Sequence, residues 1–285
     1  RSLCVTGRHW DHTGRCTRDC TDFRPGVRHV VVSTKWRALP NLSAPAVHTG
    51  ASKVLFPRQL NGKQAIYINT SGGLTSGDSF TTEIKSKGDA QFTFTTQGFE
   101  RVYRSTDGGC AKIRNTLHIT EQASCHWLPQ ETLFYDGGAL DRRLSVNLDP
   151  GASALIVEPL LIGRLAMGET HVHGSFHDCV SVNISGEPIF IDNTALTGDI
   201  TSMLDRPAVA AGARAIALIL YRARDADLAV GRIISMLNGY SGASLLRNDL
   251  CVARLIAEDG LELRKMLLPI LDDLTRSSVP KTWRL

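Results

Sequence analysis

No two of the seven cysteines form a CxxC pair, and an odd number cannot close into a complete disulfide framework. Cys110, Cys125, Cys179 and Cys251 stand singly, the usage expected in a reducing compartment. No run approaches the roughly 18 uncharged apolar residues of a membrane span. The nearest, 208–221, contains Arg214. The first 30 residues hold no apolar signal core, and the chain does not begin with Met. GxSxG, HExxH and Rossmann fingerprints are missing. The glycine-rich loop at 72–78 carries no lysine and leads into a strand, so it does not fit a phosphate cradle. The expectation is a cytoplasmic protein without a membrane partner.

The chain is 42% hydrophobic and 21% charged over 285 residues, which excludes a mostly disordered protein and allows one large domain or two modest ones. Its net charge of +4 is unevenly placed. Residues 1–37 hold eight basic and three acidic side chains, so the remaining 248 residues carry a net charge of −1. Such a body gives no reason to expect a nucleic-acid partner. The 1–37 segment also holds Cys4, Cys16 and Cys20 beside His9, His12 and His29, donors that suit zinc or nickel. Their spacing matches no zinc motif, and a loosely ordered arm is expected.

Between residues 50 and 200 the hydrophobic pattern has period two. Short strands are expected at 64–69, 79–85, 91–96, 111–119, 124–128, 144–148, 154–158, 180–184 and 189–192, separated by Gly, Asp, Asn and Pro turns. Small residues recur at Ala90, Ala123, Ala152 and Gly186, each ahead of an apolar strand. That period suggests a mainly β fold, a β-helix or solenoid-like stack of short strands. Overlaying the four units brings Thr96, Pro129, Glu158 and Asp192 into one column, with Gln97, Gln130, Pro159 and Asn193 beside it. The column is either a polar feature of the stack or a set of strand ends facing water.

After residue 205 the pattern changes. A strand is expected at 215–221, a helix at 225–237, a strand pair at 244–247 and 251–257, and a second helix at 259–275 that Pro269 should kink or split. The organisation expected is an arm (1–37), a β-helical body (38–205) and a small C-terminal α+β subdomain with two helices (206–285). His171, His173 and His177 share one parity, so an unbroken strand would put three imidazoles on one face, the arrangement of a metal-dependent hydrolase, which stands as a minor alternative.

Four strings carry a more specific message. They are the loop with Gly72, Gly73, Gly77 and Asp78; WLPQETLF at 127–134, with Trp127, Gln130 and Glu131; the turn with Gly163, Arg164 and Glu169; and GAS at 242–244. Together they resemble the urease accessory protein UreD (UreH) family over roughly residues 50–285. The resemblance also covers Tyr103 and Arg104 at the end of TTQGFERVYR, although the family's Thr/Ser-Lys pair there is replaced by Glu100-Arg101. It implies a non-enzymatic maturation factor with no tightly bound cofactor. Such a factor binds urease apoprotein, recruits UreF and through it the GTPase UreG, and assists delivery of nickel in transit. It further implies that Asp78, Glu158 and Asp192 line a polar passage as transient nickel contacts. The alternative is a scaffold without a metal-conducting role, in which Phe134, Tyr135 and Trp283 dock partners.

Overall fold

The computed structural model describes residues 50–58 and 63–284, together with the backbone of four N-terminal strands: β1 (Arg8–Trp10), β2 (Cys16–Asp19), β3 (Val27–Ser33) and β4 (Ala46–His48). The Cys/His donors of the arm, and the loosely ordered arm expected there, lie outside the described side chains.

Period-two patterning sets the architecture. Along β7 (Ser79–Ser86) every second side chain is buried, because one face of the strand meets the core and the other meets water. The same rule governs β10 (Ala111–Ile119), β13 (Gly138–Leu148) and β15 (His173–Ile184), which stack in parallel on β7 as one sheet. Tight turns carry the chain across to a second sheet, in which β6 (Lys63–Asn69), β8 (Gln91–Thr96), β11 (Ser124–Leu128) and β14 (Ser153–Ile162) are also parallel. The result is a β-solenoid of about four turns. β5 (Ser52–Leu55) closes one edge of the second sheet against β6. Two short strands, β9 (Glu100–Val102) and β12 (Thr132–Phe134), form a partial third wall with the end of β14. The small residues of the repeat stack as expected. Ala90, Ala123 and Ala152 are all buried, and their turns are joined by Ser124 N–H to Ala90 O at 2.8 Å and Ser153 N–H to Ala123 O at 3.0 Å.

The fourth unit of the overlay does not continue the stack. Ser185 and Gly186 both have positive φ, 51° and 87°, the backbone of a two-residue hairpin turn. The chain therefore reverses, and β16 (Glu187–Asp199) runs antiparallel to β15 at the edge of the first sheet. Asp192 belongs to that strand and not to the column of Thr96, Pro129 and Glu158.

The C-terminal part widens the second sheet. β17 (Ala215–Arg222) pairs with β14, β19 (Leu250–Ala257) with β17, and β18 (Gly242–Arg247) with β19, all antiparallel. A short helix, α1 (Ile200–Leu204), follows β16, while α2 (Ala226–Met236) and α3 (Gly260–Leu274) cover the outer face of the widened sheet. Asp259 caps α3 by accepting from the N–H groups of Leu261 and Glu262. Pro269 does not split α3, because Met266, Leu267, Ile270 and Leu271 on either side of it are all buried against the sheet. With a core on each face, β14 reads as a nearly unbroken apolar run.

Candidate functional site

The inter-sheet core is interrupted by charge. On β13 the inward positions are Leu140, Arg142, Leu144, Val146 and Leu148, so an arginine takes a place meant for an apolar residue. On β15 Asp178 does the same between Phe176 and Val180. The two face each other in register: Arg142 Nε donates to Asp178 Oδ1 at 2.9 Å and Nη2 to Oδ2 at 2.6 Å. Arg142 Nη1 reaches across to the second sheet, 2.7 Å from Glu158 Oε2, and donates to Thr132 Oγ1 at 3.0 Å. The indole Nε1 of Trp127 donates to Glu158 Oε1 at 2.6 Å, and Phe94 stacks on that indole at 4.3 Å. All of these groups are buried, so each charge depends on its partners. Burial opposes the charge of Arg142, but Asp178 and Glu158 more than offset it and hold the guanidinium protonated. Burial pushes the Glu158 carboxyl up, Asp178 adds to the rise, and Arg142 and Trp127 oppose it.

A cavity of about 60 Å³, room for a few waters, lies against this cluster. Tyr67, Phe94 and Trp127 give it apolar walls, while Arg142, Glu158 and Glu100 give it charge. Burial pushes the Glu100 carboxyl up to about 7, against a hydrogen bond from Asn69 Nδ2 at 2.9 Å, and Asp78 raises it further. Asp78 closes the glycine-rich loop, accepting from Thr75 N–H at 3.0 Å. Gly73 is required in that loop: a Cβ there would meet Tyr103 Cε2 at 2.4 Å and Arg101 O at 2.7 Å.

Away from the cavity the polar layer continues to the open edge. Asp178 lies opposite Thr194 on β16, Thr194 Oγ1 is 3.4 Å from Asp192 Oδ2, and Asp192 pairs with Arg254 of β19. On the second sheet Glu158, Leu218 and Arg254 stand side by side in register. Two ion pairs, Arg142–Glu158 and Asp192–Arg254, thus bridge the sheets within one layer. The three acids expected to line a passage occupy three stations: Asp78 at the loop end, Glu158 at the centre and Asp192 at the edge.

Two of the expected docking groups are interior. Phe134 is fully buried edge-on to Phe176, because its strand β12 turns it into the core. Trp283 is also fully buried, its Nε1 donating to Leu128 O at 3.0 Å. It fastens the C-terminus to the body beside Gln130, whose Nε2 donates to Thr282 O at 2.9 Å. Glu131, fully buried, takes a bidentate pair from Arg264 of α3 at 2.6 and 2.8 Å. Tyr135 is half-buried, with Arg164 stacked 4.3 Å from its ring centre and Tyr103 edge-on. Arg164 in turn pairs with Glu169 across Gly163, and Arg104 pairs with Asp136.

The histidine site does not form. β15 begins at His173, so His171 lies outside it, and four strand residues set His173 and His177 roughly 13 Å apart. Among the described residues no three His, Cys, Asp or Glu side chains converge on a metal position. Burial pushes the thiol of Cys125 up to about 12 and that of Cys251 to about 11, as expected of structural cysteines. No helix among the described residues is long and apolar enough to cross a membrane.

The profile of the family described as UreD urease accessory protein matches residues 36–284. The chain belongs to the UreD family. Similar proteins include urease accessory protein UreD of Ruegeria pomeroyi, 43% identical over 236 residues, 82% of this chain and 92% of the relative. The UreD protein of Roseobacter denitrificans is 40% identical over 237 residues, with 83% and 87% covered. That of Rhizobium leguminosarum bv. trifolii is 36% identical over 238 residues, with the same coverage. The UreD match starts at residue 36, so nearly all of the basic arm lies outside it. The sequence pattern marked Glu100 only as a departure from the family motif, and left Arg142 and Asp178 unmarked. For the last two the signal was present: each is a charge at an inward parity of an apolar strand.

Proposed function

We propose that this urease accessory protein is a non-catalytic factor of nickel delivery in the cytoplasm. It binds the urease apoprotein, recruits UreF and through it UreG, and gives nickel in transit a route along the polar layer between its sheets. It needs no resident cofactor, nucleic acid or membrane. The observation that carries this reading is the run of carboxylates through an otherwise apolar interior, from Glu100 at the cavity through Glu158 and Asp178 to Asp192. Carboxylate oxygens bind a divalent first-row ion less tightly than thiolate or imidazole cages, so spaced acids allow it to move on. A purely structural scaffold is favoured by a different observation: Glu158, Asp178 and Asp192 are each ion-paired, as groups that staple two sheets would be.

Co-expression with urease structural and accessory genes tests the assignment. Urease purified from cells carrying this chain should hold severalfold more nickel than urease from cells lacking it. Equal nickel contents would overturn it. Acid-to-amide variants of the layer separate the readings: delivery requires nickel to fall while co-purification with urease persists, whereas a scaffold loses nickel only when binding is lost.

A further inference from the structure

Two carboxylates on opposite sheets, Glu158 and Asp178, share one guanidinium. The three side chains are all buried, so with both carboxylates ionised two negative charges face one positive, an excess that burial already opposes by pushing the Glu158 carboxyl up. Uncompensated buried charge is costly, and a divalent cation between the same two carboxylates would remove it. The ligand oxygens are already held apart from Arg142. Glu158 Oε1 is fixed by Trp127 at 2.6 Å, which aims Oε2 at the guanidinium, and the register of β13 and β15 holds Asp178 on its other side. Arg142 itself lines the cavity, where Thr132 Oγ1 already accepts from Nη1 at 3.0 Å and Asn115 and Gln130 supply further polar atoms. The guanidinium therefore faces a space of a few waters and the Thr132 acceptor on one side, while Asp178, Thr194 and Asp192 continue on the other.

We propose that Arg142 is the gate of the polar layer: its guanidinium occupies a divalent-cation position between Glu158 and Asp178 and yields it by swinging into the cavity. This rests on the delivery reading above. In the exchange Glu158 releases to water any proton it holds, since burial pushes its carboxyl up. Arg142 stays protonated, the dication binds the two carboxylates it vacates, and the guanidinium returns as the ion moves on. With both carboxylates ionised, the charge of the pair with its counter-ion goes from −1 to zero and back. A monovalent cation gains nothing by this exchange, so the gate selects for double charge. The rise that Asp178 adds to the Glu158 carboxyl is another expression of the same excess negative charge.

The test removes the gate and keeps the ligands. Purified full-length Arg142→Gln should bind one Ni²⁺ per chain at least tenfold more tightly than the parent, measured by equilibrium dialysis. The gain should vanish when Glu158→Gln or Asp178→Asn is added. A folded Arg142→Gln that binds Ni²⁺ no better than the parent overturns the proposal. If that variant does not fold, the parent itself decides, because Trp127 touches the proposed ligand. Titrated Ni²⁺ should quench its fluorescence saturably, and Trp127→Phe and Glu158→Gln should each abolish that component. Quenching that is identical in the parent and Glu158→Gln refutes the gate. Failure of the delivery reading looks different: Arg142→Gln gains nickel, yet urease matured with Glu158→Gln keeps its full metal content.

Discussion

At the scale of single residues, the most informative position is Glu100, where this chain departs from the Thr/Ser of the resembling motif. Its carboxyl faces Asn69 and the cavity, and burial pushes it up to about 7 from an ordinary 4.5. A carboxyl raised in the folded state binds its proton more tightly there than in the unfolded chain. Between pH 4.5 and about 7 the folded protein therefore holds more protons, and stability falls as pH rises through that window. Glu100→Gln removes this contribution. Urea denaturation across pH 5–8 should show the variant overtaking the parent by up to about 3 kcal/mol near neutrality. A pH slope unchanged by the substitution would mean that Glu100 is solvated and plays no part in the interior layer.

Among the elements, α3 carries the strongest single prediction. Its Arg264 neutralises the fully buried Glu131 and lies 5.3 and 5.4 Å from the ring centres of Phe99 and Trp283. Arg264→Ala leaves that carboxylate unpaired and should cost about 3–5 kcal/mol in chemical denaturation. Adding Glu131→Gln should recover part of the loss, because the orphaned charge is gone. Both helices were legible in the sequence, since their apolar positions recur at helical spacing and Asp259 stands ready as a cap. Of the two outcomes expected at Pro269, the split does not occur, because packing on both sides of it holds the helix together. The repeat misled at β16. Gly186 matched the repeat in spacing, but Ser185 and Gly186 make a hairpin, and a single positive-φ pair changes which sheet the next strand joins.

For the whole molecule, a solenoid was readable from small residues at regular spacing, and the stacked Ala90, Ala123 and Ala152 show why. Each is buried at a crossing between sheets, where the turn of one coil hydrogen-bonds to the next. Arg142 and Asp178 went unread because the expected strands began at 144 and 180, short of both residues, whereas β13 and β15 start at Gly138 and His173. Their partnership with Glu158 could not be read, because it crosses between sheets and depends on which turns face one another. The layer they form joins the cavity to the β16 edge, and the delivery proposal rests on it as a run of spaced carboxylates. The measurement that tests this account most directly is the nickel content of urease matured with Glu158→Gln. The account predicts a severalfold drop while the variant still co-purifies with urease in parental yield. Full nickel occupancy alongside an intact complex would contradict it.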